Sequence, residues 1–249
     1  MKFITYLLVL FTLSSASWAE PDTLKVGIID LRPWGYMENG KVVGLQRDVF
    51  DALSETTKIP FDYQLLPLNR LQLHLKSGRI DLASLFKRKN LMPYVELVAW
   101  VSGETYYLVG PKGINYDRSN LSHIKHIGVI MGEENIVQKS LIDKYNLTAK
   151  LDVAGVNYDT SFKKLKAGRI DALCIAGPGL QAYLTKVGMS ETFIEDAFVI
   201  ESQEGHLQFS IKSPRYTPNI ISILANGFET LRDHGVLLDI DNKYQVNKK

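Results

Sequence analysis

The sequence predicts an α/β chain built of two similar lobes in series, and three observations lead there. LKSGRID at residues 75–81 returns at 165–171 as LKAGRID, with Ser77 replaced by Ala167 and the other six positions unchanged. Short β-branched runs bounded by turn residues alternate with stretches whose apolar residues recur at helical spacing. The elements in front of the first copy are matched, in the same order, by those in front of the second.

Each element has a local reason. LKVGIID (24–30) is a β-branched run closed by Arg32-Pro33-Trp34-Gly35, and Asn39-Gly40 predicts a turn. RDVFDALSETTK (47–58) aligns Val49, Phe50 and Leu53 on one helical stripe, stopped by Pro60. FDYQLL (61–66) follows as a strand. A helix capped by Asn69 then carries Leu71 and Leu75 into the first repeat copy. In the second half HIGVIM (126–131) predicts a strand, ENIVQKSLIDKY (134–145) a helix and 147–154 a further strand. A cap at Asp159–Ser161 opens the helix that enters the second copy. Gly78 and Gly168 stand where a helix end accepts positive φ, and Ile80 and Ile170 start buried strands. HLQFSIK (206–212) predicts a strand, and Thr217 with Pro218 starts a helix bearing Ile221, Leu224, Phe228 and Leu231. That tail is too short for its own core and must pack on a lobe.

The chain has 249 residues, enough for one large or two modest cores. Lys2 and the apolar run Phe3–Leu13, followed by SSASWA, read as a cleaved secretory leader over 1–19. The apolar run is short of the roughly 20 residues that span a bilayer. With 29 basic and 27 acidic residues the chain is nearly neutral, which argues against a nucleic-acid partner. Cys174 is the single cysteine, so no intrachain disulfide forms, and its apolar run ALCIA reads as core. No cysteine near the cleavage site is placed for lipid attachment. These features predict a periplasmic protein, not lipid-anchored and monomeric.

No Ser-His-Asp order, phosphate loop or nucleotide fingerprint is present, and His123-x-x-His126 has no second cluster for a metal. No cofactor, metal or catalytic residue is predicted. Asp81 and Asp171 recur in both lobes, as residues serving a common turn would, and are expected to bond nearby backbone. In open α/β sheets solutes bind beyond the carboxyl ends of the strands. Two such lobes face each other across a cleft, and the chain organisation predicts a binder of a small solute.

LKVGIIDLRPWGYMENGKVVGLQRDVFDAL, the paired L-K-x-G-R-I-D units, PKG at 111–113 and the closing ISILANGFETLRDHGVLLDIDNKY resemble bacterial periplasmic solute-binding proteins of family 3, the amino-acid-binding type. The resemblance implies a two-lobed, type II periplasmic binding fold, each lobe a sheet sandwiched by helices, with two hinge crossings. It implies a division into 20–108 (lobe 1), 109–200 (lobe 2) and 201–249 (return to lobe 1). It also implies a small-molecule ligand delivered to a membrane transporter or receptor.

The family's anchors for an α-amino acid are altered. Five residues beyond Asp171, where an acid would hold the amino group, stands Ala176. After Gly132, hydroxyl residues are replaced by Glu133 and Glu134, which could touch ligand or complement a helix dipole. The distal Arg position holds Pro93, and Arg88 in LFKRKN comes early. The ligand-contact candidates are therefore Trp34 and Tyr36 after the first strand, Arg70, Arg88, Tyr107 and Glu133. Arg70 and Arg88 are alternative forks for an anion. Tyr106 and Tyr107 point to opposite faces of one strand, so at most one meets the cleft. The solute expected is small, polar or anionic, amino-acid-like or another small carboxylate. A ligand sensor for a receptor, or a small-acid dehydratase on the same fold with Glu133 or Glu134 opposite Arg88 or Lys87, are the alternatives.

Overall fold

The computed structural model describes residues 23–111, 114, 116–153, 157–187 and 197–244. The leader at 1–19, and Lys112 and Gly113 of the PKG run, lie outside the described residues.

The chain begins with β1 (Leu24–Ile29), the hairpin β2 (Tyr36–Glu38) and β3 (Lys41–Val43), then α1 (Leu45–Thr57) and β4 (Phe61–Leu66). Next come α2 (Leu68–Ser77), β5 (Leu82–Phe86) and the long β6 (Val95–Val109). The second run is β7 (His126–Val129), α3 (Glu134–Val137), β8 (Lys150–Val153), α4 (Tyr158–Lys166), β9 (Ala172–Ala176) and α5 (Gly177–Val187). The long β10 (Phe198–Ser210), α6 (Pro218–Asp233) and α7 (Val236–Tyr244) complete it.

Eight strands form one sheet in the order β4-β1-β5-β10-β6-β9-β7-β8. Outward from the central pair β10 and β6, each wing reads third, first, second strand of its own half. In each wing the first strand pairs in parallel with both neighbours, Val26 opposite Leu82 and Ile127 opposite Ala172. The long strands are antiparallel to each other. β10 takes β5 through Gly205–Phe209, and β6 takes β9 through Tyr106–Val109. Between these stretches Glu104 and Thr105 pair with Gln203 and Ser202, and among the described residues these two strands alone carry the chain across. These are the two crossings expected between lobes.

The repeat is scaffold in both copies. Gly78 and Gly168 adopt φ of 75° and 65° and end their helices as expected. Asp81 Oδ2 accepts the Lys25 N–H at 2.7 Å, and Asp171 Oδ2 accepts the Lys125 and His126 N–H groups at 2.8 Å. Each repeat aspartate thus satisfies the open start of the first strand of its wing. The likeness runs further than the seven residues. A Cβ on Gly27 or on Gly128 would collide with the side chain of Ile80 or Ile170 respectively.

Two helix starts differ from expectation. α2 begins at Leu68 behind Pro67 without a side-chain cap, so Asn69 lies inside the first turn. α4 is capped by Asn157, whose side chain accepts the Thr160 N–H, rather than by Asp159–Ser161. The predicted helix at 134–145 forms, but its middle, Gln138–Asp143, widens into a π-helix. Thr217 caps α6 as expected, accepting the Ile220 N–H at 3.2 Å.

Strand alternation divides the core. Leu24, Val26 and Ile28 of β1, with Leu82, Leu207 and Phe209, meet Val49, Phe50 and Leu53 of α1 and Leu224, Phe228 and Leu231 of α6. Burying each aromatic here contributes about 1.5–3 kcal/mol. The tail is thereby fixed to the first wing, and Lys243 and Tyr244 both donate to Asp48 on α1. A second continuous cluster runs from Leu71 and Leu75 through Tyr106 and Leu108 to Val129, Phe162 and Leu180, across both wings and including all of β9. Cys174 is part of it and fully buried.

Candidate functional site

The carboxyl ends of β1 and β5 are locked together by Gln46, at the start of α1. Its Oε1 accepts the Ile29 N–H at 3.0 Å, and its Nε2 donates to the Ser84 carbonyl at 2.8 Å. The two open N–H groups of Leu45 and Gln46 are taken by the carbonyls of Pro33 and Trp34. This bonding straps the Trp34 loop over the strand ends. The space they frame is a cavity of about 40 Å³ lined by Ile29, Leu31, Trp34, Ser84, Arg88 and Glu133 among others.

Both halves of the chain build that cavity. Arg88, two residues past β5, donates from Nη1 to the Gly132 carbonyl at 2.8 Å. Gly132 has φ of 99°, and a Cβ there would lie 2.8 Å from Leu68 and 2.9 Å from the Asn69 amide, so only glycine lets the halves approach this closely. Trp34 also reaches across, its ring 3.4 Å from where a Cβ on Gly179 in α5 would stand.

Glu133 and Glu134 part company. Glu134 Oε2 accepts the Gly132 N–H at 2.7 Å, a local backbone role. Glu133 is 3% exposed and turns inward, where Oε1 accepts from Tyr106 Oη at 2.7 Å and Oε2 from Tyr158 Oη at 3.5 Å. Burial pushes its carboxyl up to about 7, against the pull of Tyr106, Arg88 and Tyr158. The same burial, beside that carboxylate, holds the Tyr106 and Tyr158 phenols well above their ordinary range.

A second acid, half-buried as a residue but with its carboxyl covered, stands behind the cavity wall. Glu104, in the two-strand crossing, accepts the Trp34 indole N–H at 3.1 Å through Oε1. Its Oε2 is buried and has no hydrogen-bond partner among the described residues. Burial, with smaller contributions from Glu133 and Asp241, raises this carboxyl to about 7 although Trp34 opposes it. Arg88 Nη2 is likewise buried and unpartnered.

Of the six ligand-contact candidates, the structure brings Trp34, Arg88 and Glu133 together around the cavity. Tyr36 lies outside its lining, with the Arg32 guanidinium stacked on its ring at 3.5 Å. Arg70 is exposed on the first turn of α2. Tyr107 faces the start of α5, 3.5 Å from where a Cβ on Gly177 would stand, and it is Tyr106 that bonds Glu133. Sequence reasoning missed Glu104 and Tyr158. Neither stands in a motif, and the signal that finds them is the tertiary contact itself.

No family model matches the sequence. The chain is 22% identical over 242 residues to the probable amino-acid-binding protein YxeM of Bacillus subtilis, covering 93% of this chain and 87% of that protein. It superposes with TM-score 0.68 and 16% identity on the substrate-binding protein of an amino acid ABC transporter, covering 89% of this chain and 98% of the other. A histidine kinase sensor domain with similarity to periplasmic binding proteins gives TM-score 0.70 and 14% identity, over 90% and 96% of the two chains. The chain thus has the two-lobed type II fold of the periplasmic binding proteins, and its resemblance to their amino-acid-binding type runs through nearly its whole length.

Proposed function

We propose that this protein is a periplasmic solute-binding protein that captures a small polar, amino-acid-like solute between its lobes for an ABC-type transporter. The observation that carries this reading is the cavity whose wall takes Trp34 and Arg88 from the first lobe and Glu133 from the second. A group held there touches both lobes at once, so its binding favours the closed arrangement over the open one. The similarity to a probable amino-acid-binding protein and to a transporter's binding protein supports the ligand class and the partner. We place the lobes at 20–108 and 109–200, with 201–249 returning to the first, the leader removed and the mature chain monomeric.

The cavity is that of a few waters, so a solute with a longer body requires the lobes to part. The bond from Arg88 to Gly132 is the strap that opening breaks. Glu133, with two phenols held protonated beside it, is built to hold a charge or a proton in place. The reading here is binding without turnover. A sensor role, with the closed lobes read by a membrane receptor, is the second reading, favoured by the fold shared with a histidine kinase sensor domain.

A thermal-shift screen of amino acids, amines, small carboxylates and sugars tests this. One chemical class should raise the melting temperature and be recovered unchanged after incubation. Recovery of a converted product would replace binding by catalysis, and a screen without any shift would remove the solute reading.

A further inference from the structure

We infer, building on the solute-binding reading, that the cavity selects a solute of net positive charge, with Glu133 taking its cationic group and Glu104 supplying field from behind Trp34. The carboxyl end of β9 offers no acid, its last residue Ala176 being apolar and buried. The charge needed to hold an amine comes instead from two other elements, the turn before α3 and the two-strand crossing.

The balance of buried charge carries the argument. Among the described residues the titratable groups facing Glu133 are Tyr106 of β6, Tyr158 of α4, Cys174 of β9, Arg88 beyond β5, Glu104 in the crossing and its neighbour Glu134. The one cation of that set, Arg88, gives Nη1 to the Gly132 carbonyl and keeps Nη2 unpartnered among the described residues. Glu104 faces the Trp34 N–H and two further acids, Glu133 and Asp241, and among the described residues no cation is set against it. Among the described residues, two covered carboxyls therefore share one guanidinium at this site. An isolated buried carboxylate is costly unless paired, and a buried acceptor such as Glu104 Oε2 calls for a physical reason. A cation held by Glu133 in the cavity offsets the charge of both, directly at Glu133 and through the field alone at Glu104. Glu133 has the capacity, since each carboxylate oxygen holds two lone pairs and the tyrosines use one apiece. A dianion would instead face two like charges.

The same balance sets the proton count. Both carboxyls are raised by burial to about 7. A cation favours their ionised forms, so its binding near neutral pH releases protons, and an anion's binding takes them up.

The test is titration calorimetry on the full mature chain with L-lysine, cadaverine, L-norleucine and glutarate, at low salt and pH 7, in two buffers of different ionisation heat. L-Lysine or cadaverine should bind at least about tenfold more tightly than norleucine, as expected of a charge-assisted contact, with net proton release. Glu133→Gln should remove that preference. Glu104→Gln, isosteric and away from the cavity wall, should reduce it about threefold or more and lower the proton release. A preference for norleucine or glutarate, proton uptake, or lysine affinity unchanged in Glu133→Gln at an unchanged melting temperature overturns the inference. So does binding by none of the four. In each of these cases the solute reading stands or falls separately, on the broader screen.

Discussion

Asp81 and Asp171 occupy the same place in the repeat but not the same environment. Asp81 is 1% exposed in its side chain and accepts the Lys25 N–H, the Ser213 hydroxyl at 2.6 Å and the Arg215 guanidinium at 3.5 Å. Asp171 is 41% exposed and bonds two backbone N–H groups. Asp81→Ala should cost about 2–3 kcal/mol, because it strands a part-buried guanidinium, the buried Ser213 hydroxyl and a strand end. Asp171→Ala should cost nearer 1 kcal/mol, since water replaces what it loses. Urea unfolding of the pair checks this, and equal losses would contradict it. The buried acids make a pH prediction with a definite sign. Glu104 and Glu133 sit near 7 in the fold and near 4.5 when exposed. Each therefore contributes stability that is full below about pH 4.5 and is lost as pH rises through 7, roughly 3 kcal/mol apiece at most. Glu104→Gln should flatten that fall between pH 5 and 8, measured as the difference in unfolding free energy from the parent chain.

At the scale of elements, the two copies of the repeat again separate. A Cβ at Gly78 would lie 2.4 Å from the Lys212 carbonyl, whereas at Gly168 nothing stands within 4 Å. Gly168→Ala should cost about 1–2 kcal/mol, the left-handed backbone alone, and Gly78→Ala clearly more, read from denaturant midpoints. Thr217→Ala should cost about 1 kcal/mol through the lost cap of α6. These elements were legible in the sequence because their signals are local: Gly after a helix, Thr before Pro, an Asn-Gly turn. The cap of α2 was not, because Asn69 has the right chemistry but Pro67 starts the helix two residues earlier. The π-turn at Gln138–Asp143 left no mark in a pattern that reads as helix throughout. In β6 the sequence restricts Tyr106 and Tyr107 to opposite faces, yet two adjacent tyrosines carry no sign of which face is the cleft. Glu104 is bonded to a residue seventy positions away, and no spacing announces it.

For the whole molecule, the sheet order explains why fold and site differed in legibility. Each wing repeats one arrangement of strands, so the duplicated segment exposes the architecture twice. The cavity, by contrast, forms where the wings meet, from residues that the repeat does not share: Trp34, Arg88 and Glu133. The halves touch there through the Arg88 bond to Gly132, the packing of Leu68 against Gly132 and of Trp34 against Gly179, and they are joined besides by the two-strand crossing that bears Glu104. Arg88→Ala should weaken that closed contact and lower affinity for a bound solute about tenfold or more, with little change in the melting temperature of the free protein. The most direct measurement is a crystal structure with the solute giving the largest thermal shift. That solute should be found enclosed between the lobes, unaltered, against Trp34 and within hydrogen-bond distance of Arg88 or Glu133. A solute seated outside this cavity, or found as a reaction product within it, would contradict the account.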